Sequence, residues 1–433
     1  MKEDESGLDR VQFGGRAAAL DTLAAVLRRH VPLDDALTAD GLSSRDRAFC
    51  RLLSAGVLRR LGQIDTLLAL CLTRPLPKAA GAVTDILRLG CFQLLFLGTA
   101  PHAAIDTAVE MTGALGFSGY RKLVNAVLRR LSRDGQEWVE AQDAPRLNTP
   151  DWLWDSWMAA YGATQCRAIA EAHLNEAPLD LSIPTDAPLW AEKLGGALLP
   201  TGSVRLTGAG AVTDLPGFAE GAWWVQDAAA ALPARLFPDI RGAKIADLCA
   251  APGGKTAQLA AAGAYVTAFD RSAKRLERLK TNLDRLGLEA ETITADAASY
   301  RSAEPFDAVL LDAPCSATGT LRRHPDIAHL KGPADVGKLA RTQARLLKAA
   351  WALLKPGGVL VYCTCSLEPL EGERQIDELL ASGAPLHRLP IKAEEVGGLD
   401  ELVSPAGDLR SLPCYLSEQG GMDGFFAARL IRT

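Results

Sequence analysis

The chain predicts three parts in succession: an all-α front, a small α+β middle and a doubly wound α/β back. Three observations carry that reading. Apolar residues recur at helical spacing up to about residue 145, with no strand-like run among them. Across residues 146–237 Pro, Gly and Trp interrupt the periodicity. From Lys244 onward, short apolar strands ending in Asp alternate with amphipathic helices, which is the order of a parallel sheet. At 433 residues the chain is long enough for each part to bury a core of its own.

Composition narrows the class. Hydrophobic residues make up 48% and charged residues 23%, and the formal net charge is −5, so neither wholesale disorder nor a highly basic chromatin-type protein fits. RNA binding remains open, because a local basic face can meet phosphates within an acidic chain. The N-terminal stretch Met1–Arg10 is charged and has no apolar core of signal-peptide type. No apolar run approaches the roughly 20 residues needed to span a bilayer. Nine cysteines without a dense framework suit a reducing compartment. The expectation is a soluble, cytoplasmic monomer with no membrane association.

In the front, Arg16–Arg29 carries an apolar stripe at Ala17, Leu20, Leu23, Ala24 and Leu27. Ser43 or Ser44 caps the next predicted helix. Further helices are predicted around Ala80–Leu97, Ala104–Leu115 and Tyr120–Leu131. Four basic doublets, Arg28-Arg29, Arg59-Arg60, Arg121-Lys122 and Arg129-Arg130, suggest an RNA-backbone surface, although each alone reads as a solvated helix face. The middle, residues 146–237, is expected to hold a short helix (Ala159–Leu174) and a strand (Asp180–Ile183).

The back carries the chemistry. A strand from Lys244 runs into Asp247-Leu-Cys249-Ala250-Ala251-Pro252-Gly253-Gly254-Lys255-Thr256, a tight turn entering a helix, so that backbone N–H groups and a helix start approach a ligand at the strand's carboxyl end. A P-loop would need Gly where Cys249 stands, and a dinucleotide fingerprint would need a third Gly. A third candidate is S-adenosylmethionine, whose carboxylate and amino group can meet the loop's backbone. Asp247, Asp270, Asp296 and Asp312 close four successive strands, a set suited to the hydroxyls and amino groups of a nucleoside. Cys315, in Asp312-Ala-Pro314-Cys315-Ser316, and Cys365, in Cys363-Thr364-Cys365-Ser366, follow neighbouring strands on the same edge. Cys50, Cys71, Cys91 and Cys166 read as core filler. No metal site is expected, since no Cys-x2-Cys pair occurs.

These motifs, in this order, closely resemble the RNA cytosine-5 methyltransferases of the NOL1/NOP2/Sun family. The resemblance extends to Thr320–Ile327 and to Asp423-Gly-Phe425-Phe426. Leu42–Phe49, Gly56–Arg60, Leu87–Phe96 and Val124–Arg130 look like a NusB-like RNA-binding domain, a pairing typical of the family's bacterial 16S rRNA branch.

The resemblance implies a multidomain protein: a NusB-like helical bundle (1–145), a small α+β linker domain (146–237) and a Rossmann-like S-adenosylmethionine-dependent methyltransferase domain (238–433). It implies methyl transfer to carbon 5 of a 16S rRNA cytosine. Cys365 is then the nucleophile, Cys315 the residue that releases product, and Asp312 and Lys255 their partners. From the residues alone the two cysteine roles are interchangeable. The cofactor is expected to lie against Cys249, Ala250, Ala251, Pro252, Gly253, Gly254, Lys255, Asp270, Asp296 and Asp312. RNA phosphates are expected at Arg322, Arg323 and His324. The chain departs from the family pattern at Cys363, where Ser or Ala is usual; a serine-sized filler role is expected there. Competing readings are a tRNA methyltransferase, a non-catalytic rRNA-binding assembly factor, and a P-loop-like NTPase.

Overall fold

A residue pattern that repeats every three to four positions closes on one face of a helix, and the front of the chain folds accordingly. The computed structural model describes residues 10–37, 41–208 and 210–433, so most of the charged stretch Met1–Arg10 lies outside the described residues. Helices Gly15–Arg29, Ser44–Arg59, Leu61–Cys71, Gly81–Leu95, Pro101–Ala114 and Arg121–Glu140 follow one another. In the last of these, Val124, Val127, Leu128 and Leu131 form the buried stripe. Ser43 is the cap, its Oγ accepting from Asp46 N at 3.1 Å. The helices share one apolar core, with Leu23, Leu53, Val57, Ile64, Val83 and Leu131 among its members.

The chain divides into two compact units, Met1–Asn175 with Leu321–Lys331, and Glu176–Thr320 with Gly332–Thr433. These units are bounded at other positions than the three expected domains, whose limits fall at 145 and 237. Helix Asp151–His173, broken at Gly162 where φ is +76°, buries Leu153, Trp157, Cys166 and Ile169 and belongs to the helical unit. The rest of the expected linker domain belongs to the second unit. There β1 (Leu179–Ser182), β2 (Ala197–Leu198), β3 (Val204–Leu206) and β4 (Trp224–Val225) form an antiparallel sheet in the order β2-β3-β1-β4. Its buried Arg205 makes a two-pronged ion pair with Asp180, at 2.6 and 2.7 Å.

The main sheet contains β5 (Lys244–Leu248), β6 (Tyr265–Asp270), β7 (Glu291–Thr294), β8 (Phe306–Asp312), β9 (Leu354–Thr364), β10 (Leu386–Arg388), β11 (Leu409–Ser411) and β12 (Phe425–Arg432). The strand order is β10-β12-β9-β8-β5-β6-β7, with β11 pairing β12. Pairs β5–β6, β5–β8, β6–β7 and β8–β9 are parallel, and β12 runs antiparallel to β9. Both faces are covered, as alternation dictates: Ile245, Leu310 and Val361 point into one core, Ala246, Val309, Leu311 and Leu360 into the other. The order reverses between β5 and β8, so the loops after these strands open the crevice where such sheets take ligands. No helix among the described residues is long and apolar enough to cross a membrane.

Candidate active site

Parallel pairing sets the site. Register aligns Leu248 with Leu311 and Asp312 with Cys363, so the segments after β5, β8 and β9 emerge on one edge. Beyond β8, Pro314 and Cys315 leave the sheet; beyond β9, Cys365 does the same. The two cysteine Sγ atoms lie 3.4 Å apart. The backbone joins these loops as well, Gly319 N donating to Cys365 O and Ala313 N to Cys363 O, both at 2.9 Å. Cys315 is held protonated: its hydrogen bond to Cys365, burial, and the negative charge of Cys365 and Glu371 together raise its thiol well above the ordinary value.

Lys255, on the helix Gly254–Ala261, donates to Asp312 Oδ2 at 2.8 Å and lies 4.9 Å over the Phe425 ring. Burial pulls the ammonium's pKa down, but Asp312 and the Cys363 and Cys365 thiols outweigh it and raise it above its usual value. Lys255 is thus a permanent cation beside the cysteine pair. Cys363 Sγ donates to the other Asp312 oxygen at 3.4 Å. Burial and that carboxylate push its thiol well up. Cys363 therefore holds Asp312 from a second side, as a serine hydroxyl at that position also could.

The glycine-rich turn is built tightly. Cys249 adopts φ +63°, a left-handed conformation rare for a residue with a side chain. Burial and the surrounding carboxylates raise its thiol to about 12. Two of the turn's N–H groups are consumed internally, Ala250 N by Phe269 O and Gly253 N by Ala250 O, both at 2.9 Å. These two N–H groups are therefore not among those the turn can offer a ligand. The acidic strand ends are more telling. Asp247 is fully buried; Thr256 Oγ1 donates to its Oδ2 at 2.6 Å, while its Oδ1 has no hydrogen-bonding partner. Burial, with repulsion from Asp312 and Asp270, raises this carboxyl to about 7 against relief from Thr256 and Lys255. A buried acceptor without a donor suits a ligand that brings one. Asp270 accepts from Ser272 N at 2.9 Å and pairs with Arg275 at 3.1 Å, and Asp296 accepts from Ala298 N at 3.1 Å. Among the described residues, no group of three or more His, Cys, Asp or Glu is arranged to hold a metal ion.

Arg322, Arg323 and His324 lie in a segment, Leu321–Lys331, that packs within the helical unit. Asp326 Oδ2 accepts from Leu33 N at 2.9 Å, His329 Nε2 meets Leu58 O at 2.9 Å, and Arg59 donates to Arg322 O at 2.7 Å. Arg322 is 1% exposed, which removes its guanidinium from solvent and from an incoming phosphate. Arg323 and His324 are half-buried, with His324 Nδ1 3.5 Å from Asp34. Of the basic doublets, Arg59 and Arg60 are half-buried and bond to carbonyls, whereas Arg121, Lys122, Arg129 and Arg130 are exposed. Sequence reasoning missed one residue of the site altogether. Glu371, seven residues after Thr364, reaches back to the residues that follow both cysteines; no local pattern marks it.

The strand order, with its single antiparallel strand next to β9, is that of a Rossmann-like methyltransferase. The comparisons agree. Residues 236–431 match the model for the 16S rRNA methyltransferase RsmB/F family, and residues 15–133 match that for the NusB family. Ribosomal RNA small subunit methyltransferase B of Shewanella oneidensis is 40% identical over 386 residues, covering 85% of this chain and 90% of that protein. The enzyme of that name from Pseudomonas putida is 40% identical over 400 residues, covering 88% and 92%. Among solved structures, that of PH0851 superposes with a TM-score of 0.75 at 21% identity, covering 95% of this chain and 98% of that one. A methyltransferase homolog protein from Pyrococcus horikoshii does so with a TM-score of 0.55 at 26% identity, covering 70% and 98%. The chain belongs to the 16S rRNA methyltransferase RsmB/F family.

Proposed function

We propose that this protein methylates carbon 5 of a cytosine in 16S rRNA through a covalent adduct between Cys365 and carbon 6 of the base. The observation that carries this reading is the pair of thiols 3.4 Å apart beside the Lys255–Asp312 ion pair. Carbon 5 of cytosine is a poor nucleophile. Addition of a thiolate at carbon 6 forms an S–C6 bond and moves the C5–C6 electron pair toward carbon 5, one difficult step divided into easier ones.

The chain's residues suit each part of that sequence. Cys315 holds its proton while its partner is unreacted, and the family resemblance assigns the nucleophile's part to Cys365. Once Cys365 is bound to carbon 6, its hydrogen bond and its charge no longer raise Cys315. Cys315 then releases its own proton to solvent, and its thiolate takes the proton from the methylated carbon 5; the electron pair of that C–H bond re-forms the C5–C6 double bond as the S–C6 bond breaks and Cys365 leaves as a thiolate. Lys255 and Cys363 hold Asp312 from two sides, fixing its carboxylate for the cytosine edge near N3. On the helical unit, the exposed Arg121, Lys122, Arg129 and Arg130 offer a basic surface suited to RNA phosphates. The target base must be single-stranded or flipped from its stack to enter.

S-adenosylmethionine supplies an electrophilic sulfonium methyl when bound. The residues fit it: Asp247 offers its unpartnered buried oxygen to an amino group, Asp270 and Asp296 stand at the ends of β6 and β7 for the nucleoside, and the turn from Cys249 to Lys255 forms the floor.

The test incubates wild type, Cys365→Ala and Cys315→Ala with tritiated S-adenosylmethionine and either protein-free 16S rRNA or a tRNA pool, then resolves products on a denaturing gel. Methyl transfer to 16S rRNA should be lost in both variants, with a stable RNA–protein adduct only in Cys315→Ala. An adduct from Cys365→Ala instead would reverse the two roles. Transfer to tRNA alone would replace the substrate, and a wild type inert on both RNAs would overturn the reading.

A further inference from the structure

We infer that Glu371 is a positioning residue that holds Cys315 and Cys365 at their working separation. It sits at the end of a short turn, Pro369–Glu371, and its side chain is fully buried. One carboxylate oxygen accepts from Ser316 N at 3.0 Å and from Gln343 Nε2 at 3.0 Å. The other accepts from Ser366 Oγ at 2.6 Å and from Ser316 Oγ. Ser316 and Ser366 are the residues immediately after the two cysteines. A single carboxylate therefore ties together the two loops that carry the thiols.

The surroundings restrict where that carboxylate can go. The Glu371 carbonyl oxygen accepts from Tyr362 Oη at 2.7 Å, anchoring the turn to β9. Gln343, from the helix Pro333–Ala352, also donates to Pro314 O, so the residue preceding Cys315 is held by the same group. Burying an ionised carboxylate is costly unless several hydrogen bonds compensate it, and an apolar side chain would close the same space at lower cost. A charged acceptor is required only if both serine loops must be gripped at once. Misplacing reacting groups by about 1 Å costs of the order of a hundredfold in rate, and Glu371 reinforces the direct contact between the two positions, Ser316 Oγ to Ser366 Oγ at 3.2 Å, with a charged acceptor common to both.

This inference rests on the proposed two-cysteine chemistry only for its catalytic consequence; the separation of the thiols is measurable without RNA. Phenylarsine oxide condenses with two adjacent thiols, forming two As–S bonds and releasing water. In full-length wild type it should shield Cys315 and Cys365 together from alkylation by iodoacetamide, read by peptide mass spectrometry. Glu371→Ala should lose that joint shielding and lower kcat on 16S rRNA by about a hundredfold, with the KM for S-adenosylmethionine changed by less than about twofold. Glu371→Gln, which keeps the shape and one acceptor, should fall between. Wild-type shielding in Glu371→Ala, or lost kcat with shielding intact, would overturn the inference. Should Glu371→Ala not fold, the Ser316→Ala/Ser366→Ala double variant decides: wild-type shielding and kcat there also overturn it. A wild type whose thiols are bridged but which transfers no methyl group would end the proposed reaction, while the comparison of shielding in the variants would still judge Glu371.

Discussion

Lys255 Nζ lies 2.8 Å from Asp312 Oδ2, an ion pair that joins the start of the helix after β5 to the end of β8. Parallel β5 and β8 are neighbours, so the pair spans the switch point of the sheet and fixes the carboxylate between the cofactor turn and the cysteines. Loss of the cation leaves Asp312 to Cys363 alone. Lys255→Met keeps the stem against Phe425 and should reduce methyl transfer by about tenfold to a hundredfold, the range for a lost hydrogen bond to a charged group. Steady-state kinetics on 16S rRNA test this, with circular dichroism to verify the fold. Unchanged kcat would show that the pair has no part in the chemistry.

Gly319 leaves no room for a side chain. A Cβ there would stand 2.0 Å from Gly424 O and 2.7 Å from Gly424 C, and both are backbone atoms that cannot swing aside. Gly319 N also donates to Cys365 O, and Gly424 N to Gly319 O. Gly319→Ala should therefore force the loops apart, at a cost of about 1–3 kcal/mol as for other overpacked interiors. The expected outcome is a lower urea midpoint together with a fall in activity, since the displaced strand end carries Cys365. A midpoint matching wild type would contradict this reading.

Asp247 links stability to pH. Its folded-state carboxyl titrates at about 7 because of burial, against 3.8 as its ordinary value. The folded protein thus binds a proton that the unfolded chain has released, and stability must fall as pH rises from about 4 through 7. Asp247→Asn cannot ionise and retains a partner for Thr256. Its melting temperature relative to wild type should climb between pH 5 and pH 8. A difference that stays flat across this range would refute the linkage.

His173 works in the opposite direction in the helical unit. Burial, with Arg322 and Arg59 nearby, lowers its pKa to about 3, and its ring packs 5.2 Å from that of Trp157. The folded state keeps it neutral while the unfolded chain takes up a proton below about 6.5, so stability is complete above that pH and is lost as pH falls toward 3. His173→Phe preserves the ring packing and removes the titration. Wild type should lose stability faster than this variant between pH 6.5 and 4.5 in denaturant titrations; parallel losses would rule the histidine out as the cause.

Much of this molecule was legible before any coordinates. The helical front, the cofactor turn, the acidic strand ends and the two cysteines all follow from local pattern, because helix period, strand alternation and turn residues act over a few positions. Helix Asp151–His173 was partly legible as Ala159–Leu174, but nothing local states which core it joins; Trp157 and Leu153 find theirs in the helical unit. Arg322, Arg323 and His324 read as contacts to RNA phosphates, and they lie in the segment Leu321–Lys331. Its Asp326 and His329 instead satisfy backbone groups at Leu33 and Leu58, partners hundreds of positions away in the chain.

The sequence by itself determined the classes of element and the chemistry available to them, since motif and period are local properties. Only the tertiary structure decided that Cys315 and Cys365 meet, that Cys363 grips Asp312, that Arg322 is withdrawn from solvent, and that Glu371 fastens both cysteine loops. Each of those depends on parallel strand register and on the pairing of buried polar groups across loops. Such groups take whichever partner the packed chain brings within reach, because leaving them unmatched in a low-dielectric interior is costly.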